Sequence, residues 1–267
     1  MTPTRILLAS GGPTYAHDHA TAAVVLTDLL TSAGHVVVGV TTHPEDIPGA
    51  IEQTAPDCIV SHMLWWRMLA ERYDDLRDIW AYESSGAVRE ALKRFVVDGG
   101  ALVALHTSTI CFDDWPGWGD LLGAQWNWNR SFHPPLGAVS VRLVSLGAGS
   151  AADQETTARS KPMGIPALLT SEPIEVVGGL ADYETVDEVY MHLDVRHDAQ
   201  PLAFARPLGD PLAVEHPVLW CRSVGRGAVA TFGLGHDASA LSHPTTAELV
   251  RRCVTWTVRS TRASSGH

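Results

Sequence analysis

Between Arg5 and Leu105 the chain alternates short apolar runs with amphipathic stretches, and this constrains the fold more than any other feature. Arg5-Ile-Leu-Leu-Ala-Ser10 reads as a buried strand closed by Gly11-Gly12-Pro13. Ala23, Leu26, Leu29 and Leu30 recur at helical spacing across 19–33, with Gly34 as the stop. The β-branched run 35–41 predicts a second strand, 44–54 a short helix, and 58–61 a third strand. Ser85 can cap a helix to Val97 that Gly99-Gly100 ends, and 101–105 predicts a fourth strand. Strands that alternate with helices pair in parallel. The expectation is an α/β fold with a mostly parallel, doubly wound central sheet and helices on both faces.

Beyond His106 the pattern loosens. A short helix is expected at 116–122, a strand at 138–145, and strand-like runs at 174–177, 186–193, 217–222 and 228–234. The chain then closes with an amphipathic helix over 245–258. Residues 146–171 are rich in Gly, Ala, Ser and Thr and read as an inserted loop. Residues 259–267 read as a flexible tail. No linker or repeat divides the rest, so 1–258 is expected to form one domain.

Charge and motifs exclude several functions. A net charge of −11 argues against a nucleic-acid surface, which relies on clustered Lys and Arg. The only lysines, Lys93 on an amphipathic helix and Lys161 in a polar loop, are poorly placed for Schiff-base chemistry. The four cysteines (Cys58, Cys111, Cys221 and Cys253) have neither disulfide-framework nor zinc-knuckle spacing. No apolar stretch is long enough for a membrane span, so a cytoplasmic protein is expected. Gly11-Gly12 is too short for a dinucleotide loop, and Walker A, GxSxG and HExxH sequences are absent. No nucleotide cofactor is expected.

Histidines carry the chemical signal. In open α/β sheets, ligands bind beyond the carboxyl ends of strands, where this pattern places His17, His19, His106, His192 and His236. Imidazole serves as acid, base or metal ligand near neutral pH. Thr107 and Ser108 follow His106 in a turn that can present backbone N–H groups to a polarised oxygen. Glu188, Tyr190 and His192 would share one face of a strand. Asp237 lies beside His236, His17 and His19 form an HxH pair, and His133 ends the segment Trp126-Asn-Trp128-Asn-Arg-Ser-Phe-His133. Each signal alone competes with a plainer reading: a histidine hydrogen-bonded in the core, an exposed strand face, or tryptophans packed in a core or subunit interface.

Together they point to His106, His236, Glu188, His192 and Tyr190 as catalytic groups. His17, His19, Thr107, Ser108, Trp126, Trp128, His133 and Asp237 would contact a small-molecule substrate. Tryptophan faces can pack on the C–H faces of a sugar while polar neighbours bind its hydroxyls. Two mechanisms stay open: His/Glu proton transfer beside a carbonyl, or a divalent zinc or manganese ion held by His17, His106 and His236. The alternatives are a non-catalytic binding or scaffold domain, and a hydrolase using Ser108 or Cys111. A homodimer is plausible, because the Trp-rich segments exceed what one pocket needs.

The whole pattern resembles the ThuA-like (trehalose-utilisation) family, a branch of the class I glutamine amidotransferase-like fold. The resemblance rests on Phe95-Val-Val-Asp-Gly-Gly-Ala-Leu-Val-Ala-Leu-His106, Asp187-Glu188-Val-Tyr190 and Gly225-Arg-Gly-Ala-Val-Ala-Thr-Phe-Gly-Leu-Gly-His236-Asp237. Tyr15-Ala-His17-Asp-His19 and Val254-Thr-Trp256 agree with it. It implies a flavodoxin-like three-layer fold and a link to carbohydrate metabolism, keto sugars included. It does not imply amidotransfer, which needs a cysteine at the strand tip where this chain has His106. The chain departs from the family pattern at Glu172-Pro173-Ile174, where His-Pro-Ile is usual, and in the 146–171 insertion.

Overall fold

Every second residue of the first strands faces the same helical layer, because successive side chains on a strand point to opposite sides. The computed structural model describes residues 2–144, 172–210 and 212–264. Strands β1 (Arg5–Gly11), β2 (Val36–Thr41), β3 (Cys58–Met63) and β4 (Ala101–Leu105) alternate with helices α1 (His19–Ser32), α2 (Ile47–Thr54), α3 (Asp74–Trp80) and α4 (Gly86–Val97). Helix α5 (Pro116–Leu122) leads to β5 (Gly137–Leu143), β6 (Tyr183–Asp187), β7 (Gln200–Pro207), β8 (His216–Val224) and β9 (Gly227–Phe232). Helices α6 (Ala238–Ser242) and α7 (Pro244–Ser264) follow. Ile6, Leu8, Val60, Val103 and Leu105 pack under α1 and α7. Their neighbours Leu7, Ala9, Ile59, Leu102 and Ala104 pack under α2, α4 and α5. The expected layers on both faces are therefore present.

The sheet departs from the expected mostly parallel form. Its nine strands run in the order β2-β1-β3-β4-β9-β8-β7-β5-β6. Pairings from β2 to β9 are parallel; those from β9 to β6 are antiparallel. The cause is the connectivity of the later strands: β6, β7, β8 and β9 follow one another with no described helix between them, and β8 returns directly into β9 through Gly225-Arg226-Gly227. That turn fits closely under α4: a Cβ on Gly227 would lie 2.1 Å from the Val96 carbonyl oxygen. The result is a mixed α/β fold.

Four local expectations also change. The run 174–177 falls in a 3-10 turn, Pro173–Val176, not in a strand. Pro173 has no N–H for a ladder, and the turn still buries Ile174 and Val176 in the core beneath α7. The run 186–193 ends its strand at Asp187, which pairs with Gly137, the first residue of β5; beyond it an isolated bridge joins Met191 to Phe132 without extending the ladder. Strand β7 was not expected; Pro201 and Pro207 obscure its alternation, and its register is irregular between Pro201 and Phe204. The last helix continues through 259–264, where Ser260 and Thr261 are buried, so that part of the expected tail is packed structure. The insertion expected at 146–171 and residues 265–267 lie outside the described residues.

Candidate functional site

Four side chains from distant parts of the sequence meet at the carboxyl end of the parallel strands. His17 lies between β1 and α1, His106 directly after β4, Glu188 directly after β6 and His236 in the loop after β9. One donor atom from each lies within 4.8 Å of all the others. Glu188 is the hub. Its Oε2 lies 3.3 Å from His236 Nδ1, 3.7 Å from His106 Nε2 and 3.4 Å from His133 Nδ1. His236 Nδ1 is also 3.4 Å from His106 Nε2.

Backbone carbonyls set the ring orientations. His17 Nδ1 is 3.2 Å from the His236 carbonyl oxygen, and His106 Nδ1 is 3.0 Å from that of Gly233. A carbonyl only accepts, so these Nδ1 atoms carry hydrogens, and in the neutral ring each Nε2 is the nitrogen left to accept a bond or ligate. The Tyr190 hydroxyl donates to His106 Nε2 at 3.0 Å. His106 itself adopts φ +38°, a left-handed conformation uncommon outside glycine. Strained backbone of this kind is retained where surrounding contacts over-determine it, and such positions cluster at functional sites.

Electrostatics divides the cluster. Burial, followed by the neighbouring His106 and His236, pushes His17 down to about 3. Burial takes His19 down to about 4. Burial opposes the charge on Glu188, but the adjacent imidazoles of His106, His236 and His133 outweigh it and hold the carboxyl well below its usual range. Burial likewise opposes the charge on His236, and Glu188 outweighs it and raises the imidazole. Burial and the two adjacent carboxylates drive the Tyr190 phenol well up, so it stays a donor. The cluster thus sets an anionic Glu188 and a His236 of raised basicity beside neutral His17.

The residues fit a divalent metal. Three imidazoles and a carboxylate are donors that zinc accepts, and tetrahedral bonds of about 2.0–2.1 Å put donors roughly 3.3 Å apart. The separations of 3.3, 3.4 and 3.7 Å among Glu188, His236 and His106 agree, and the His17 donor lies within 4.8 Å of all three. Carbonyls that hold the far ring nitrogen of a ligating histidine are the usual support of such sites. Nε2 of His106 lies 3.7 Å from Glu188 Oε2, so a cation between them would meet an imidazole nitrogen on one side and a carboxylate on the other.

Not every expected residue reaches this cluster. His192 follows a left-handed kink of its own (φ +56°), which breaks the period of two, and its exposed ring packs 4.8 Å from His216. Ser108 Oγ donates to the Ser61 carbonyl at 2.9 Å, and both Thr107 and Ser108 are fully buried, so neither presents a hydroxyl to a substrate. Asp237 caps α6 by accepting from Ala240 N at 2.8 Å. His19 sits behind the cluster with Nδ1 3.0 Å from the His62 carbonyl. Gly12 leaves room for it, since a Cβ there would lie 2.8 Å from His19 Nε2. Trp126 stands at the rim, 5.2 Å from the Tyr190 ring, and Trp128 lies farther out, stacked on Trp66. Cys111 is buried, its thiol held between Met63 and Trp65 backbone and pushed far up by burial. Neither candidate for a Ser/Cys nucleophile is accessible.

Sequence reasoning overlooked Asp187. Its buried carboxylate accepts from Glu188 N at 2.8 Å, Gly235 N at 2.8 Å and His236 N at 3.2 Å. It ties the end of β6 to the loop after β9 and so orients two of the four donors. Its signal was present as an acidic pair, Asp187-Glu188, whose first member is too costly to bury without such partners.

Fold and site together define a mixed α/β protein with a buried histidine–carboxylate cluster where parallel and antiparallel strands join. The chain belongs to the ThuA family, described as trehalose utilisation, whose profile matches residues 5–257. Among solved structures it is similar to a ThuA-like protein from Parabacteroides merdae ATCC 43184, with a TM-score of 0.68 at 15% identity over 96% of this chain and 90% of that one. A ThuA-like protein from Bacteroides uniformis ATCC 8492 gives 0.60 at 15% identity over 96% and 93%. A Salmonella typhimurium protein described as cytoplasmic gives 0.55 at 13% over 95% and 98%. At these identities the likeness is one of fold. No curated protein matches this chain. Among the described residues, no helix is long and apolar enough to cross a membrane.

Proposed function

We propose that this chain is an enzyme acting on a sugar or similar polyhydroxylated metabolite, keto sugars included, with zinc or manganese held by His17, His106, His236 and Glu188. The observation that carries this reading is the convergence of these four donors within 4.8 Å, with imidazole tautomers set so that lone pairs face inward. A bound divalent ion would supply Lewis-acid polarisation of a substrate oxygen. His133, partly exposed and 3.4 Å from Glu188, is the imidazole that an incoming substrate meets first and the group that moves a proton there. Tyr190 packs its ring 4.4 Å from that of His106 and would give up its bond to Nε2 to a bound ion, and Trp126 bounds the substrate on the rim. The family description links ThuA proteins to trehalose utilisation, which supports a carbohydrate substrate.

The order β2-β1-β3-β4-β9 supports reading the parallel half as flavodoxin-like. Four free cysteines support a reducing, cytoplasmic setting.

The test is turnover across a panel of sugars and keto sugars, using untagged protein as purified, after chelation, and after reloading with zinc or manganese. Conversion lost on chelation and regained with one ion supports the reading. Full activity in metal-free protein contradicts the metal; saturable binding without conversion across the panel identifies a binding domain instead.

A further inference from the structure

Solvent reaches the histidine cluster from one side. Side-chain exposure falls from 37% at His133 through 16% at His236 and 11% at Glu188 to nothing at His106. Trp126 stands on the open side, its ring 6.0 Å from His133 and 5.2 Å from Tyr190. Trp126 also lines a cleft of about 440 Å³, bordered by α5 and by residues 124–129 and 194–196. None of the four converging donors lines this cleft. One indole therefore stands between this cleft and the partly exposed His133 flank of the cluster, and a molecule reaching from one to the other would pass across it.

The lining of the cleft specifies what it can hold. Trp126 and Trp128 stand 6.0 Å apart at 65°, and Trp128 is braced by near-parallel stacking on Trp66 at 22°. Besides Pro116, Gly119 and Ala124, the rest of the lining is polar and includes Asn127, Asn129 and the Arg196–Asp120 ion pair at 2.7 Å. The volume lies within the ordinary range of small-molecule sites. A flat apolar ligand would strip water from the amides and the ion pair without replacing it. An anion would face Asp120 and Asp194, and a cation would face Arg196. A neutral ring with hydroxyls on its edge and C–H groups on its face satisfies both halves of the lining.

We propose that this cleft is a second carbohydrate-binding subsite, which holds the non-reacting ring of a two-ring substrate while the reacting ring lies against His133 and Glu188. Its catalytic half rests on the function proposed above; its binding half does not. Affinity from the remote ring would orient the reacting one, a contribution that substrates with a single ring lack.

The test is isothermal titration of the untagged full chain with trehalose, maltose and sucrose, with glucose as the one-ring probe, alongside turnover of whatever binds. Trp128 is exposed, so Trp128→Ala is expected to fold, which circular dichroism checks. The expected result is saturable binding of a disaccharide, weakened roughly tenfold in Trp128→Ala, as for loss of a packed aromatic contact, and restored by Trp128→Phe. Glucose should bind more weakly than the disaccharide and respond less to Trp128→Ala. Any of three results overturns the subsite: no saturable binding by any of the disaccharides, equal affinity in wild type and Trp128→Ala, or glucose binding as tightly as the best disaccharide. Failure of the catalytic reading has a different signature. Disaccharide binding would remain Trp128-dependent and unaffected by His236→Ala, with no turnover in any form; that result keeps the subsite and removes the reacting half.

Discussion

The two halves of the sheet contribute to the site in different ways. The parallel half (β2, β1, β3, β4, β9) delivers imidazoles: His17, His106 and His236 all follow parallel strands at their carboxyl ends. The antiparallel half (β8, β7, β5, β6) delivers the acid and the phenol, because Glu188 and Tyr190 follow the terminus of β6. Neither half holds a complete donor set. The lesson is that an antiparallel extension can complete a strand-end site from the side, by returning one acidic segment over the tips of its parallel neighbours.

If the halves act as one unit, damage to either should be felt in both. Trp220 in β8 is fully buried and donates its indole N–H to the Leu122 carbonyl of α5 at 2.8 Å, which joins the halves. Trp220→Ala is expected to cost about 3–5 kcal/mol in denaturant unfolding, the range for large aromatic truncations. Hydrogen exchange should show protection falling together in β4 and in β7. Loss confined to β7 and β8 would split the comparison into two independently stable halves.

Asp187 is the sharpest probe of the contact between them. In Asp187→Asn one of the three backbone N–H groups meets an amide donor instead of a carboxylate oxygen. A stability loss of about 1–3 kcal/mol follows from the unsatisfied buried group, and metal affinity should fall roughly 10–100-fold, as for other groups that orient ligands. Metal titration of the folded variant reads the second effect. Unchanged affinity would show that the β6 terminus does not position Glu188 and His236.

Proton linkage addresses the parallel half alone. His17 and His19 have folded values of about 3 and about 4, lowered by burial, against about 6.5 in an unfolded chain. The unfolded state therefore binds more protons between these values. Stability from each is complete above about pH 6.5 and is lost as pH falls toward 4 and 3. In chelated protein the slope should approach ~1.4 kcal/mol per pH unit for each histidine, and His19→Gln should remove about one proton's share. A pH-independent unfolding free energy from 7 to 4 would contradict the buried, neutral assignment.

The smallest effect is expected at Asp237, which caps α6 and orients no donor. Asp237→Ala should cost about 1 kcal/mol in unfolding, the usual value for a lost N-cap, and leave metal affinity unchanged. A fall in affinity comparable to that of Asp187→Asn would erase the distinction drawn between these two acids.

The legibility of the sequence follows the same division. Parallel strands buried on both faces appear as continuous apolar runs, and β1, β3, β4 and β9 were expected within a few residues of where they lie. Their connecting loops brought three of the four donors to hand. The antiparallel half was harder to read. Its strand β7 carries two prolines, its apolar run at 174–177 is a turn, and its strand β6 stops at a carboxylate that binds backbone rather than water. That stop explains why His192, assigned to the face of Glu188 by a period that had already ended, lies apart from it, whereas Tyr190 reaches His106 from coil. Ser108 and Thr107 misled for a related reason: small hydroxyl residues after a strand serve hydrogen bonding within the sheet as readily as substrate.

Anomalous diffraction from crystals of untagged protein, recorded at the zinc and manganese edges, tests the central claim most directly. The account predicts one peak, about 2.0–2.2 Å from His17 Nε2, His106 Nε2, His236 Nδ1 and a Glu188 carboxylate oxygen. Density that shows these four side chains in direct mutual contact with no peak at either edge, in protein grown with both metals present, would contradict it.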